Sequence, residues 1–276
     1  MNAEIQSKLD HLMELLSDLG SVVVGFSAGV DSTLLIAAAG RSLGDKAVAA
    51  TACSATLPMS EREEAAVIAD QLGIRHVLLD IDELESADFV ANTDQRCYYC
   101  KKTRFGALTR WAQEHGYKWV LDGANADDCL DYRPGMKAVS ELEKVCSPLL
   151  EAGLTKTEIR EISREWGLPT WNKPSAACLS SRVAYGLAIT NERLGQIEQA
   201  EKVVKEFCSG QIRVRHHDNL ARIEVSQDDI PILTTPQNAR RIHAALKQLG
   251  FTFVTLDLAG YRTGSMNETL GRENHE

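Results

Sequence analysis

No run in this sequence approaches the ~18 consecutive apolar residues that a membrane-spanning helix requires, so no segment offers itself as a bilayer span. A basic surplus is also missing: 30 Lys and Arg stand against 39 Asp and Glu, a net charge of −9. Extended contact with a nucleic-acid backbone draws on clustered Lys and Arg, so nucleic acid is not an expected partner, although local basic patches fit this balance. The N-terminal segment has neither a basic n-region nor a small-residue cleavage site. Its Ile5, Leu9, Leu12, Leu15, Leu16 and Leu19 recur at helical spacing, which predicts a docking helix rather than a signal peptide. Internal repeats and low-complexity tracts are absent, and the closing LGRENHE is expected to fray. The seven cysteines are an odd number without an export signal. Free, catalytic or metal-bound thiols in the cytoplasm are therefore expected, not a disulfide framework.

What is present is ordinary for a globular chain: 276 residues, 44% hydrophobic and 25% charged, enough for one large domain and a smaller one. Up to about Asn125, β-branched runs at 21–27, 47–53, 76–82 and 118–124 alternate with helical patterns at 31–43, 60–72 and 99–116. That alternation predicts βαβ units and a parallel sheet. Ser60 and Glu63 read as a capping box for the second helix, and TKTE as another opening a helix at 155–166. The first domain is expected to span 1–169 and the second 170–276. The latter opens with the aperiodic loop TWNKPSAACLSSRVAYG, of a length that is often functional. Helices at 191–207 and 236–249 and strands at 211–217, 220–226 and 251–258 then predict a small α+β unit.

Ser27-Ala28-Gly29-Val30-Asp31-Ser32 joins a buried strand to a helix. Small residues there let backbone N–H groups approach a phosphate, and the helix N-terminus adds partial positive charge. The Gly-Lys-Ser/Thr ending of a Walker A loop is absent. The hexapeptide resembles the SGGxDS pyrophosphate loop of the ATP-pyrophosphatase superfamily, with Ala28 where glycine is usual. The resemblance implies a doubly wound parallel α/β sheet that binds ATP. It also implies adenine against Ala52 to Ser54 and ribose or α-phosphate near Gly123 and Asn125, at carboxyl ends of strands. Asp31 becomes a candidate for Mg²⁺ or phosphate ordering, or simply a helix N-terminal charge.

Further segments, RCYYCKK (96–102), LDGANADDCLDYRPGMKA (121–138), WNKPSAACLSSRVAYG (171–186), IRVRHHDNLARIEV (212–225) and VTLDLAGYRTGSMNE (254–268), resemble the LarE family along nearly the whole chain. The resemblance implies an ATP-dependent sulfur transferase of nickel-pincer cofactor biosynthesis. Such an enzyme adenylates a carboxylate of pyridinium-3,5-biscarboxylic acid mononucleotide and replaces it with a thiocarboxylate. Lys101 would neutralise charge as pyrophosphate departs; its alternative is a solvated helix face. Arg213 and Arg215, two apart on a predicted strand, project from one face and suit a phosphate monoester. By resemblance they hold the substrate's phosphate together with Arg182 and Ser181; the alternative is pairing with acids such as Glu224.

The Cys97–Cys100 pair plus the distant Cys178 makes three soft ligands suited to a 4Fe-4S cluster, with one iron open to carry hydrosulfide, as the resemblance to the cluster-dependent branch implies. In the sacrificial branch the donor cysteine lies five residues before the arginine of SSR; here that place is Ala177, and Cys178 follows. A sacrificial or persulfide-carrying Cys178 is therefore the alternative, and a lone C-x-x-C is equally open to zinc or redox use. Cys53, Cys129, Cys146 and Cys208 match no ligand spacing and are expected to be structural. Within the acidic run Asp127, Asp128 and Asp131, Asp128 is a Mg²⁺ candidate; Glu201 matches an acidic family position and reads equally as an exposed helix residue. Sulfide or another sulfur donor and a homo-oligomer are expected. Rival readings are a tRNA thiolase, an ammonia-dependent synthetase, and an ATP-sensing or metal-storage module.

Overall fold

The computed structural model describes residues 1–130, 134–174 and 177–270. Of the tail expected to fray at 270–276, all but Leu270 lies outside the described residues, as does Asp131 of the acidic run. Two compact units form, one from 1–83 with 97–176 and the other from 84–96 with 177–276.

The first unit starts with α1 (Ala3–Leu19), capped by Asn2, which accepts from Ile5 N, and burying Ile5, Leu9, Leu12 and Leu16 as the spacing predicts. β1 (Val22–Gly25), α2 (Val30–Leu43), β2 (Ala47–Cys53), α3 (Met59–Gln71) and β3 (His76–Asp80) follow. After α4 (Ala87–Val90), which belongs to the second unit, come α5 (Arg96–Glu114), β4 (Trp119–Leu121), α6 (Pro134–Ser140), β5 (Val145–Cys146), α7 (Pro148–Glu151) and α8 (Lys156–Glu165). The strands pair in parallel in the order β3-β2-β1-β4-β5. Val22 and Val24 enter a core shared with α1, α2, α3 and α8, whereas Val23 enters the opposite core with Phe105, Leu108 and Ala112 of α5. The sheet is therefore covered on both faces, and the doubly wound α/β expectation holds. Strand order reverses at β1, so the turns after β1 and β4 share the crevice where open α/β sheets bind ligands.

Two local expectations are corrected. Ser60 does not cap α3: the helix opens at Met59 with Pro58 at its N-cap and no side-chain cap, because Pro58 O already accepts from Glu61 N and Arg62 N. Ser60 thus falls inside the first turn. β5 escaped the pattern because its two residues are too few to show a period. The capping box at Thr155 and Glu158 is present as read.

In the second unit, α9 (Asn191–Lys205), β6 (Arg213–His217), β7 (Leu220–Glu224), α10 (Ile230–Leu233), α11 (Pro236–Gln248) and β8 (Phe253–Leu256) build a three-stranded sheet. β6 and β7 form an antiparallel hairpin and β8 joins β7 in parallel. Val214, Ala221, Ile223 and Val225 pack with Ala200 and Val204 of α9 and Ile242 and Leu246 of α11. Residues 84–96, upstream of the expected cut after Pro169, belong to this unit. Asn92, fully buried with φ +52, donates its amide to the carbonyls of Val183 (3.3 Å), Ala184 (2.9 Å) and Leu187 (2.9 Å).

His216 sits in this core, 2% exposed, with Nε2 at 2.9 Å from Gln196 Oε1 and its ring against Phe251. Burial, reinforced by Arg193, pushes its pKa down to about 4. The folded state therefore keeps the imidazole neutral, while the unfolded chain protonates near 6.5. This contribution is complete above pH ~6.5 and is lost as pH falls toward about 4. Thermal melts of wild type and His216→Gln from pH 7.5 to 4.5 should converge on acidification; parallel curves would contradict the assignment.

Candidate active site

The turn from β1 into α2 is built from small residues and leaves α2 uncapped by any side chain at Gly29. Ser32 Oγ accepts from Ser27 N (3.3 Å), meets Ser27 Oγ (3.2 Å) and donates to Gly29 O (3.3 Å), which ties the loop onto the first turn of α2. Ala28 is buried at φ +53, a left-handed conformation that costs an L-residue roughly 1–2 kcal/mol and that glycine adopts freely. With no side-chain cap on the N-terminus of α2, the turn suits an anion. Ser27, Ala28, Gly29, Val30, Asp31 and Ser32 are thus one structural unit.

β4 delivers Gly123 against this loop. A Cβ at Gly123 would lie 3.5 Å from Ser32 N and 3.6 Å from Asp31 Cβ. Asn125 follows, 4% exposed, its Nδ2 at 3.4 Å from Asp31 Oδ1. Asp128 is buried and accepts from Asn125 N through Oδ2 (3.0 Å), so it shapes the turn that aims Asn125. Lys101, from the first turns of α5, donates to Asp122 Oδ1 at 2.7 Å, and Asp122 Oδ2 is buried with no hydrogen-bond partner among the described residues. Lys101 is therefore held at the carboxyl end of β4 rather than on a solvated face.

Two lysines reach the loop that the sequence reading did not single out. Lys156 Nζ lies 2.5 Å from Asp31 Oδ2, and Lys173 Nζ donates to Ala28 O at 3.0 Å while pairing with Glu64 at 2.8 Å. Lys156 stands inside TKTE, where the capping box drew attention to its neighbours. Lys173 stands inside the quoted WNKPS segment. Neither position carries a local signal, because only the fold brings it to the loop.

Ala52 and Ser54 lie at the end of β2. A cavity of about 270 Å³ opens there, lined by Cys53, Ser54, Leu57, Met59, Arg62, Asp80 and Ile81. Beside it, buried Glu83 accepts from Arg104 Nε at 2.7 Å, and Arg104 donates to Thr56 Oγ1 at 2.7 Å. Cys97 and Cys100 occupy the first turn of α5, Cys97 exposed and Cys100 half-buried with its thiol 3.6 Å from Glu83 Oε1. Burial pushes the thiols of Cys146 to about 12 and Cys208 to about 11, and raises Cys53 as well, so these keep their protons at neutral pH.

In the second unit, Cys178 Sγ lies 2.9 Å from Ser180 Oγ, and Ser181 Oγ donates to Cys178 O at 2.7 Å. Arg182, 3% exposed, donates to the carbonyls of Ala177 and Cys178 and forms a two-point pair with Glu201 at 2.9 and 3.2 Å. Glu201 also accepts from Val214 N at 3.1 Å, so it is a half-buried, hydrogen-bonded carboxylate rather than an exposed helix residue. Arg96, the residue before Cys97, donates to Ser180 O at 3.1 Å.

Arg213 and Arg215 share one face of β6, as the strand period requires. Register places Glu224 directly opposite Arg213, yet Glu224 takes Arg215 (2.7 Å), Arg222 (3.0 Å) and the Ser265 hydroxyl (2.9 Å). The expected cross-strand pairing is thus realised for Arg215. Arg213, 8% exposed, has no carboxylate partner among the described residues and donates to Ile212 O at 2.6 Å. Burial, then the neighbouring Arg182, lower its pKa from the usual guanidinium value, against a smaller opposing pull from Glu201. A desolvated cation beside two further guanidiniums is an arrangement that an anion would stabilise.

Among the described residues, no three His, Cys, Asp or Glu side chains are gathered for a metal ion, and no helix is long and apolar enough to cross a membrane. Asp31 and Asp128 lie in the first unit with Cys97 and Cys100, whereas Glu201 and Cys178 lie in the second.

The asparagine synthase family model matches residues 7–205. An uncharacterised Synechocystis protein is 40% identical, covering 96% of this chain and 99% of its own length. A pyridinium-3,5-bisthiocarboxylic acid mononucleotide synthase of Lactiplantibacillus plantarum is 38% identical over 97% of this chain and 96% of its own. A tRNA-specific 2-thiouridylase of Thermosynechococcus vestitus is 29% identical over 62% of this chain and 55% of its own.

The two lysines at the loop generate a test. Lys156→Ala leaves Asp31 without its cation beside the β1–α2 turn, and a lost charge-assisted contact of about 1.5–3 kcal/mol should weaken Mg·ATP binding by roughly tenfold or more. Calorimetric titration with a non-hydrolysable ATP analogue reads this directly. An unchanged Kd would remove Lys156 from the site.

Proposed function

The chain belongs to the LarE family of the ATP-pyrophosphatase superfamily, whose members are ATP-dependent sulfurtransferases, and on that premise we propose that it converts a carboxylate of pyridinium-3,5-biscarboxylic acid mononucleotide to a thiocarboxylate in nickel-pincer cofactor biosynthesis. The observation that carries the substrate reading is Arg213, a buried guanidinium beside Arg182 and Arg215 that, among the described residues, forms no ion pair with a carboxylate and feels Glu201 only at a distance. A mononucleotide supplies a phosphate monoester, which guanidiniums grip in bidentate fashion, and Ser181 adds a hydroxyl.

In this reading adenine occupies the end of β2 at Ala52 and Ser54, Gly123 and Asn125 face the ribose and α-phosphate, and residues 27–32 cradle the pyrophosphate. Asp31 orders Mg²⁺, with Asp128 and Glu201 as further candidate acids. A carboxylate oxygen attacks the α-phosphorus, and the bond to the bridging oxygen of pyrophosphate breaks. Lys101, Lys156, Lys173 and the α2 N-terminus neutralise the departing charge. Sulfur then attacks the acyl carbon, and AMP leaves with the carboxylate oxygen.

For the sulfur source, Cys97, Cys100 and Cys178 are assigned as ligands of a 4Fe-4S cluster. The chemistry of the donors supports this reading: Cys97 and Cys100, three apart on α5, offer two soft thiols, and Arg182, which donates to Cys178 O, would offset thiolate charge at the third. Such a cluster, with three protein thiolates, supplies an iron position for hydrosulfide. The second reading makes Cys178 itself a sacrificial or persulfide carrier, and its contact with Ser180 Oγ favours a polar, reactive sulfur. The net charge of −9 and the partial match to the 2-thiouridylase argue against a tRNA substrate. A cytoplasmic homo-oligomer, with domains near 1–169 and 170–276, completes the proposal.

Anaerobic reconstitution followed by iron and sulfide assay tests the cluster. About four irons per chain, as a 4Fe-4S cluster requires, lost in Cys97→Ala, Cys100→Ala and Cys178→Ala alike, is the expected result. An iron-free wild type that loses sulfur mass after one turnover would instead assign Cys178 as the donor.

A further inference from the structure

The segment VTLDLAGYRTGSMNE leads from β8 onto the arginine-bearing face of the second unit. Gly260 closes a tight turn at φ +69, its N–H donating to Asp257 O at 3.1 Å. A Cβ there would lie 2.8 Å from Val225 O, so only glycine allows the chain to approach the end of β7 this closely. The next residue, Tyr261, is pinned by its N–H to Val225 O at 2.8 Å. Its ring lies over Arg213, with Cζ 5.3 Å from the ring centroid. Four residues on, Ser265 accepts from Arg215 Nη2 at 3.2 Å and donates to Glu224 Oε1 at 2.9 Å.

We infer that Tyr261 is the positioning residue for Arg213: the ring face, set by the Gly260 turn, fixes the guanidinium plane so that its free N–H groups meet the substrate's phosphate monoester. Arginines are ordinarily oriented by two-point pairing with a carboxylate, as Arg182 is by Glu201 and Arg215 by Glu224. Among the described residues Arg213 has no such pair, and a carboxylate in that position would compete with the phosphate. An aromatic face holds a cation through its quadrupole without neutralising it or occupying its donors. Tyr261 thereby solves the orientation problem and keeps the charge available. The inference rests on the phosphate reading of this face.

The test uses the full chain and compares pyridinium-3,5-biscarboxylic acid mononucleotide with the corresponding nucleoside lacking phosphate, following pyrophosphate release. Wild type should favour the mononucleotide, and Tyr261→Phe should match it within about twofold, because the ring face is kept. Tyr261→Met should raise KM for the mononucleotide about tenfold with kcat retained, and leave KM for the nucleoside unchanged. Tyr261→pentafluorophenylalanine, which keeps the shape and reverses the ring's polarity, should reproduce the Met effect and serves even where Met does not fold. In an Arg213→Ala background neither change should cost anything further. Equal losses on both substrates, or a loss that persists without Arg213, would make Tyr261 merely structural and overturn the inference. A wild type indifferent to the phosphate would overturn the phosphate reading itself, and this inference with it.

Discussion

The ATP-binding unit depends on the turn between β1 and α2. β1 is paired on both edges, by β2 and β4, so its carboxyl end cannot shift without disturbing three strands. The chain must then reverse within a few small residues and enter α2 without a side-chain cap. Ala28 accepts a left-handed backbone to do so, a local strain that the packing around it sustains. From this fixed turn the other parts take their places. Gly123 approaches because it has no side chain, Asn125 reaches Asp31 because Asp128 holds its backbone, and Lys156 meets Asp31 because the Thr155 cap starts α8 there.

In the second unit the organising quantity is charge. Two carboxylates, Glu201 and Glu224, are shared among Arg182, Arg215 and Arg222, and each makes several contacts. Among the described residues the allocation leaves Arg213 buried with no carboxylate in ion-pair contact, Glu201 acting on it only at a distance, although register alone would hand it Glu224. Burying an unpaired cation is costly, and proteins sustain such a cost where a ligand supplies the counter-charge. The same logic explains why an aromatic ring, not a carboxylate, lies against that guanidinium.

Much of this was legible in the sequence where the signal is local. The phosphate loop shows as a strand, a small-residue turn and a helix; the Thr155 box shows as four residues; the arginine pair shows as a period of two. Lys156 and Lys173 were not legible, because a lysine carries no mark of what a distant segment will bring to it. The membership of residues 84–96 in the second unit was hidden for a related reason. It depends on Asn92 reaching three carbonyls some ninety positions away, contacts with separations of 91, 92 and 95 residues. Ser60 misled because its motif was present but Pro58 had already started the helix. The division of Glu224 between Arg215 and Arg222 is a rotamer outcome that strand periodicity cannot express.

The central claim is that ATP activates a carboxylate by adenylation, and the path of one oxygen tests it. With both carboxylates of the mononucleotide labelled with heavy oxygen, attack on the α-phosphorus followed by sulfur displacement must leave one labelled oxygen on AMP. Mass spectrometry of the nucleotide products after a single turnover should find singly labelled AMP and unlabelled pyrophosphate. Unlabelled AMP, or label appearing in inorganic phosphate, would show that ATP is cleaved by another route and would contradict the account.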